Sequence, residues 1–171
     1  LFGNDGGAIF NAGTLRIEDS VIQNNHAVSR GGAIWNQGTS FMLRTEFYNN
    51  DAQNGGAIHN HQGDMSIDAI FDGNEATNDG GAIQNESGTL NLISSTLTNN
   101  TATRFGGAIH NVWTSAADAY ILVRTTDLIG NTAGSDGGAI MNQASAEVEI
   151  TLSSELDDNT SGRNGGGVYN A

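Results

Sequence analysis

The chain contains no cysteine, no proline and no lysine. Without cysteine there can be no disulfide framework, no thiolate nucleophile and no cysteine-based zinc site. The absence of proline suits a chain made mostly of paired strands, because proline cannot donate a hydrogen bond to a sheet. No apolar run approaches the roughly 20 residues of a membrane helix, and no signal peptide is visible. We therefore predict no direct membrane insertion by this segment.

Positive charge is scarce as well, since six Lys+Arg, all of them arginine, stand against 19 Asp+Glu and give a net charge of −13. This charge argues against nucleic acid and against anionic membrane surfaces as partners. It favours an extracellular or cell-surface protein. A length of 171 residues is normal for one domain. Because the chain begins inside a repeat, we expect residues 1–171 to be a single segment of a longer repeat protein, with partial coils at both ends.

Glycine is abundant, with 24 residues, and much of it lies in one recurring phrase. GGAIxN begins at residues 6, 31, 55, 80, 106 and 137, and a looser GGGVYN begins at 165. Spacings of 24 to 31 residues indicate a solenoid. Between copies lies a second marker, a large apolar residue followed three positions later by Asn. Its members are Ile22–Asn25, Phe47–Asn50, Phe71–Asn74, Leu97–Asn100, Leu128–Asn131 and Leu156–Asn159, with Leu1–Asn4 as a remnant.

A third pattern, two apolar residues two positions apart, lies between these markers. The pairs are Leu15 and Ile17, Phe41 and Leu43, Met65 and Ile67, Leu90 and Leu92, Ile121 and Val123, and Ile150 and Leu152. A spacing of two is the period of a β-strand. Each unit therefore predicts three short strands, and coils that stack about 4.8 Å apart bury their apolar sides on one another. The predicted fold is an all-β parallel β-helix of about six to seven coils with three short strands per coil.

Strand alternation assigns the letters of the phrase to two faces. The inward ladder comprises the aliphatic position and the asparagine position: Ile9, Ile34, Ile58, Ile83, Ile109, Ile140 and Val168, with Asn11, Asn36, Asn60, Asn85, Asn111, Asn142 and Asn170. An asparagine there can satisfy turn backbone groups and stack on the asparagine of the next coil. Ala8 and its equivalents, with the free letter, are predicted to face solvent. The glycine pair fits a corner with positive φ or close coil approach.

GGAI followed by an apolar-x-x-Asn marker resembles the repeat of the chlamydial polymorphic outer-membrane proteins. Similar repeats occur in bacterial autotransporter passengers and in secreted proteins of the pectate-lyase-like superfamily. The resemblance covers the whole chain, although the phenylalanine form of the marker occurs only at Phe47 and Phe71. It implies a right-handed parallel β-helix, surface exposure, adhesion and a tendency to self-associate, and it implies no active site.

The free letter is the first candidate for binding. It is Phe10, Trp35, His59, Gln84, His110, Met141 and Tyr169, which the fold places in one column. Aromatic columns suit stacking on sugars or packing against protein, but such side chains can also simply stabilise the sheet. The second candidate is the extra length at Val112–Ala119 in the longest unit, because solenoid insertions often lie on the binding face. Trp113 is expected to project from it, or to fold back onto the coil.

Metal and catalytic sites are not predicted. Asp5, Asp79 and Asp136 precede glycine pairs, but two or three coils separate them, so solvated acidic turns are favoured over calcium ligands. His59 and His61 form an HxH pair, but His61 is expected beyond the turn, so no metal ion and no cofactor are predicted. No pair of carboxylates has the separation that glycoside cleavage needs.

The sequence therefore favours a non-enzymatic bacterial surface segment that acts in adhesion or as a scaffold. The expected partner is a host or neighbouring-cell surface protein or glycan. Two alternatives stay open: a filament subunit that stacks through uncapped β-helix ends, and a fragment of a polysaccharide lyase or hydrolase, which share this fold.

Overall fold

The computed structural model describes residues 5–114, 118–143 and 145–171, and within them it contains strands and turns but no helix. In chain order the strands are β1 (Ile9–Asn11), β2 (Thr14–Glu18), β3 (Val21–Gln23), β4 (Ile34–Asn36), β5 (Thr39–Tyr48), β6 (Asp51–Asn54), β7 (Ile58–His61), β8 (Asp64–Asp72), β9 (Glu75–Asp79), β10 (Ile83–Glu86), β11 (Thr89–Ile93), β12 (Thr96–Thr98), β13 (Thr101–Ala102), β14 (Ile109–Val112), β15 (Tyr120–Arg124), β16 (Asp127–Ile129), β17 (Thr132–Ala133), β18 (Ile140–Asn142), β19 (Glu147–Thr151), β20 (Glu155–Asp157), β21 (Thr160–Ser161) and β22 (Val168–Asn170). No helix that could cross a membrane occurs in these residues.

The strands form three parallel sheets, and successive coils supply neighbouring strands in each. The GGAIxN strands make a seven-stranded sheet in the order β1-β4-β7-β10-β14-β18-β22. The middle and second-marker strands share a ten-stranded sheet, and in β5 and β8 they merge into one long strand. A short strand after the second Asn forms a five-stranded sheet in the order β21-β17-β13-β9-β6. The predicted parallel β-helix is confirmed, with about six turns. Most coils also contain the short strand after the second asparagine, which the sequence does not predict.

The interior consists of apolar rows, in which equivalent residues of successive coils stack on one another. The isoleucine ladder of the GGAIxN strands runs in register from coil to coil, and Ile34, Ile58, Ile83, Ile109 and Ile140 have no exposed surface. At the second-marker position, the rings of Phe47 and Phe71 stack with centroids 4.7 Å apart. Burial of such side chains contributes roughly 1.5–3 kcal/mol each, and because every row repeats, each coil completes the core of the next.

The alanine position is buried, which corrects the prediction that it faces solvent. Ala33, Ala57, Ala82, Ala108 and Ala139 have no exposed surface and lie in the same core cluster as the isoleucines. Each alanine precedes its strand, which begins at the isoleucine, and the N–H groups of both residues donate to one carbonyl oxygen of the next coil. Because the residue before the strand does not follow the alternation of the strand, both side chains lie in the core.

Two of the predicted middle pairs are also wrong by register. In β5 the inward residues are Ser40 and Met42, whereas Phe41 is 43% exposed. Ser40 occupies an inward position because its hydroxyl donates to Asn36 Oδ1 at 2.7 Å. Four of the six pairs lie in the predicted rows: Leu15 and Ile17, Met65 and Ile67, Leu90 and Leu92, and Ile121 and Val123.

In that last complete coil, the pair predicted at Ile150 and Leu152 is shifted by one strand period. Val148 pairs with Ile121 and Ile150 pairs with Val123, so Val148 and Ile150 are the inward pair. Leu152 has φ of 49° and is 60% exposed, because it lies at the corner between two strands.

The glycine pair turns the corner before each GGAIxN strand, as predicted. Gly55 has φ of 63°, and a Cβ on it would lie 2.1 Å from Ile58 O. A Cβ on Gly56 would lie 2.1 Å from the Gly81 carbonyl oxygen in the next coil. The first glycine is therefore required by conformation and the second by the close approach of the coils.

An asparagine ladder closes the inner edge of the same sheet, as the sequence predicted. In each step the side-chain amide donates to Oδ1 of the next coil at 2.7–2.8 Å. The same amide groups donate to turn carbonyls, for example Asn60 to Gly63 O at 2.8 Å. Because the ladder residues are buried, these bonds satisfy groups that would otherwise be costly to desolvate.

The second-marker asparagines form another ladder of the same kind. Asn74 is fully buried, and its Oδ1 accepts bonds from the backbone N and from Nδ2 of Asn50, both at 3.0 Å. Its Nδ2 donates to Phe47 O and to Asn100 Oδ1, both at 3.0 Å. The second Asn is thus the turn-closing residue of the opposite corner, with four buried hydrogen bonds.

Candidate functional site

The free letters lie in one column, as predicted. Strand pairing places them in register in the order Phe10, Trp35, His59, Gln84, His110, Met141 and Tyr169. They point away from the isoleucine core, since each lies between two inward residues of a strand. At the start of the column, the rings of Phe10 and Trp35 stack with centroids 4.4 Å apart.

The prediction that the whole column stands clear in solvent is wrong. Phe10 is 46% exposed, whereas His59 is 1% and His110 is 4% exposed. Trp35, Gln84 and Met141 are buried as well, and Tyr169 is half-buried. These side chains are buried because residues on both sides of the column extend further outward than the column does.

The column is the floor of a groove with two walls. One wall comes from the corner before the glycine pair, and the other from the residues that follow the ladder asparagine. The variable groove has a volume of about 320 Å³ and is lined by Arg30, Asn54, His59, Asp79, Gln84, Glu86, Arg104, Phe105, His110, Val112, Thr114 and Gln143. Its floor and walls therefore consist largely of positions that change between coils.

Several buried polar atoms of the column have no hydrogen-bond partner in the described part of the chain. They are Trp35 Nε1, His59 Nδ1, Gln84 Oε1, and both ring nitrogens of His110. Buried polar atoms in folded proteins nearly always have a partner, and a local concentration of exceptions needs an explanation. These five atoms belong to free letters, and the other buried side-chain atoms without a partner among the described residues are His61 Nδ1 and Asp5 Oδ1. Most of the hydrogen bonds that the fold leaves open therefore lie in the column.

The wall beside His110 is built by an ion pair. Arg104 donates two bonds to Asp79, Nε to Oδ1 at 3.1 Å and Nη2 to Oδ2 at 2.6 Å. The guanidinium also lies 5.3 Å from the centre of the Phe105 ring. Burial lowers the pKa of His110 to about 4, although Asp79 nearby opposes that change. His110 is therefore a neutral ring at pH 7, able to donate and accept.

A second group of titratable side chains lies one coil earlier. His59 Nε2 is 2.9 Å from Glu86 Oε2, and His61 Nδ1 is 3.4 Å from the same oxygen. The hydrogen bond from His59 lowers the pKa of Glu86 to about 2, and burial lowers the pKa of His59. The sequence-based expectation that His61 lies beyond the turn is wrong, because β7 continues through His61.

The three aspartates weighed as calcium ligands lie in one column but in separate coils. Backbone bridges place Asp5 beside Arg30, and Phe105 beside Asp136. The prediction of solvated turns is wrong for two of them, since Asp79 is 5% and Asp136 is 8% exposed. Asp79 is paired with Arg104, and Asp136 accepts bonds from the backbone N and side-chain amide of Asn164 at 3.1 and 2.8 Å. The oxygens of Asp79 and Asp136 therefore hold protein groups together.

The predicted loop at Val112–Ala119 is described at its two ends, and residues 115–117 lie outside the described residues. Trp113 is 42% exposed, which fits the expectation that it projects. Thr114 is held by Ser87, whose Oγ accepts a bond from the Thr114 backbone N at 2.8 Å. Val112 and Thr114 line the variable groove, so this loop begins at the groove wall.

Sequence reasoning identified the column but missed both walls. Arg30, Asp79 and Phe105 occupy the position before the glycine pair, where the sequence predicts a solvated turn. Glu86 and Val112 follow the ladder asparagine, where the sequence predicts the end of the strand. The signal that could have found them is the register itself, since residues one position outside the phrase on either side also change from coil to coil.

These observations define a class: a parallel β-solenoid whose repeated positions build the core and whose variable positions line an external groove. Comparison with known families adds the particular repeat. The Chlamydia polymorphic membrane protein repeat matches residues 19–37, 68–86 and 94–112. Each match runs from a second marker through the following GGAIxN strand, so three of the repeats are similar to this type, as the sequence suggested. Neither the curated proteins nor the solved structures yielded a match.

Proposed function

We propose that this chain is a non-enzymatic segment of a bacterial surface protein and acts in adhesion. The matched repeat comes from a family of bacterial outer-membrane and surface proteins that are generally not enzymes. The net charge of −13 is consistent with a protein that is exposed outside the cell. The expected location is therefore extracellular or at the cell surface.

The observation that carries the proposal is the unpaired polar floor of the variable groove. Gln84 Oε1 and the ring nitrogens of His110 have no partner among the described residues, and a polar ligand would supply the missing hydrogen bonds. Arg104 and Glu86 on the walls add charged groups that can bond to hydroxyls or amides. A glycan, or a polar segment of a surface protein, has the groups that this groove can bind.

The carboxylates of the groove do not favour an enzyme. Asp79 is held by two bonds from Arg104, and Glu86 is bonded to His59. Glycoside cleavage needs one carboxylic acid that holds a proton near neutral pH beside one carboxylate. The lowered pKa of Glu86 is opposite to that of a general acid. Assembly into filaments through the ends of the solenoid stays a prediction without a supporting contact.

The experiment measures binding of the fluorescently labelled chain to a glycan array and to host and bacterial cells. The test variant combines Gln84→Met and His110→Met, since Met141 shows that the column accepts methionine. The control is Phe41→Ser, which removes an exposed ring from another sheet and places there the residue its partner Ser66 already carries.

We expect the double variant to lose binding about tenfold or more, the equivalent of one or two good hydrogen bonds. The control should bind as the unaltered chain does. Equal binding by all three chains would show that the variable groove is not the adhesive surface. Release of reducing or unsaturated sugars from the bound glycans would contradict the non-enzymatic assignment.

A further inference from the structure

Three metal-ligating side chains from two neighbouring coils converge at one wall of the variable groove. His59 and His61 lie two residues apart on β7 and share a face of that strand. Glu86 on β10 is the register partner of His61, so the carboxylate lies directly beside the two imidazoles. One ligand atom from each residue lies within 4.8 Å of the other two.

The distances approach those of an occupied site. Zinc bonds of 2.0–2.1 Å in tetrahedral geometry place the ligand atoms about 3.3 Å apart. Glu86 Oε2 is already 2.9 Å from His59 Nε2 and 3.4 Å from His61 Nδ1. Small rotations of these side chains would open the shorter contact to admit an ion.

Hydrogen bonding within the protein does not account for the whole cluster. His61 Nδ1 is buried and has no hydrogen-bond partner in the described part of the chain, although it faces the carboxylate. The ring is held in that direction by stacking, with centroids 5.7 Å from Trp35 and 6.3 Å from His59. His61 Nδ1 thus points at the Glu86 carboxylate without bonding to it. A third partner placed between the two groups would bond to both.

Charge and access also suit a cation. His59 is 1% exposed, whereas Glu86 and His61 have 18% and 23% of their side-chain surface exposed, so the cluster is fixed yet reachable from the groove. Glu86 contributes a negative charge, and the imidazoles are good ligands in their neutral form. Arg30 lines the same groove and opposes a cation, which limits the expected affinity to about the micromolar range.

We propose that His59, His61 and Glu86 bind one divalent transition-metal ion, with zinc as the best-fitting ion. Two imidazole nitrogens and one carboxylate oxygen are a known donor set for zinc, and they leave a fourth position open. Water, or an oxygen or nitrogen atom of a bound molecule, could fill that position. This inference stands apart from adhesion, since zinc binding is measured without any adhesive partner.

The test uses isothermal titration of the purified, chelator-treated chain with Zn²⁺, and visible absorption with Co²⁺ as a stand-in. The variants are His59→Gln, His61→Gln and Glu86→Gln. Each places at its position a residue that neighbouring coils already carry: Gln84 in the column, and Gln37 and Gln143 after the ladder asparagine. Circular dichroism confirms that the variants remain folded.

The matched control is His110→Gln, which removes a buried histidine of the same column from outside the cluster. A second control, His26→Ala, removes the exposed histidine that pairs with Asp51 on another face. We expect one Zn²⁺ per chain, a loss of affinity of at least about tenfold in each cluster variant, and no change in either control.

Three results would overturn the proposal. The first is no binding of Zn²⁺ tighter than about 100 μM by the unaltered chain. The second is unchanged affinity in the folded cluster variants. The third is loss of binding in His26→Ala alone, which would place the ion at the exposed His26–Asp51 pair. Adhesion that is lost in the groove variant while zinc binding persists would separate the two sites.

Discussion

On the inner face of the seven-stranded sheet, isoleucine and asparagine recur in every complete coil, whereas the outer residue between them changes from coil to coil. Both faces are largely buried, so burial alone does not explain why only one is constant. On the inner face each side chain contacts its own copy: Asn60 donates to Asn85 as Asn85 donates to Asn111. On the outer face the contacts differ between coils: His59 contacts Glu86, whereas His110 lies beside Phe105.

This comparison teaches that a position in the solenoid is constant where its partner is the same residue in the next coil. A substitution there breaks two contacts, one above and one below, and no single change in a neighbour repairs both. On the outer face each coil can pair with whatever its neighbour offers. The outer face is consequently free to acquire a binding surface, and the inner face is not.

The largest effect is expected from breaking the inner face at the coil corner with Gly56→Ala. The added Cβ would lie 2.1 Å from the Gly81 carbonyl oxygen, and the backbone of one coil would have to move. We expect a loss of about 5 kcal/mol or more in the free energy of unfolding, measured by urea denaturation. Gly13→Ala is the control, since no atom lies within 4 Å of its Cβ position. Similar stability of the two variants would show that close approach does not fix the second glycine.

A smaller but still large effect is expected from Asn74→Ala on the second ladder. The change removes four buried hydrogen bonds, so the backbone N–H of Asn50 and the carbonyl of Phe47 each lose a bond, while the side-chain amide of Asn50 keeps its bond to Ile22 O. The expected loss is about 4 kcal/mol, from unsatisfied buried groups at roughly 1–3 kcal/mol each.

Asn25→Ala, near one end of the same ladder, is the comparison for that variant. Asn25 lies at a half-buried site and its Nδ2 donates to Gln23 O and Asn50 Oδ1. We expect a loss of about 1 kcal/mol there. Equal midpoints of urea denaturation for the two variants would contradict the view that burial sets the strength of the ladder.

A third effect, smaller than that of Asn74→Ala, concerns the outer face and depends on pH. His110 in the unfolded chain takes up a proton near pH 6.5, whereas burial lowers its pKa in the folded chain to about 4. Protons therefore favour the unfolded chain, so this stability is present above pH 6.5 and is lost as the pH falls to 4. The loss is about 3 kcal/mol, at 1.36 kcal/mol per pKa unit.

The measurement compares urea denaturation of the unaltered chain and His110→Gln at pH 7 and pH 4. The variant should lose about 3 kcal/mol less on acidification, because it has no ring to protonate. Other groups titrate in both chains and cancel in the difference. An identical pH dependence of the two chains would show that His110 is not held neutral by the fold.

Much of the fold could be predicted from the sequence, because the repeat states each inward position several times. Where one coil differs from the others, the apolar spacing predicts the wrong inward residues. Phe41 and Leu43 have the apolar spacing of a core pair, yet pairing from Thr39 onward and the hydroxyl bond to Asn36 put Ser40 and Met42 inside. The alanine position could not be predicted from alternation, because the alanine precedes the strand and both it and the isoleucine lie in the core.

The candidate site was predictable only in part. The column of free letters follows from register, and its order is confirmed. The walls depend on how far Arg104 and Glu86 rise beside the strand, which is a matter of side-chain packing between coils. The convergence of His61 with Glu86 required β7 and β10 to extend one residue beyond the ladder asparagine, and this extension has no signature in the phrase itself.

The ladder bond between Asn111 and Asn142 has a further consequence for length. These residues are 31 apart, whereas Asn36 and Asn60 are 24 apart, yet both amide bonds are 2.7 Å long. The additional residues follow Val112 and leave the stacking of the coils unchanged. The turn after the ladder asparagine can thus accept new chain, and a peptide epitope inserted after Val112 would be displayed at the rim of the groove on an unaltered scaffold.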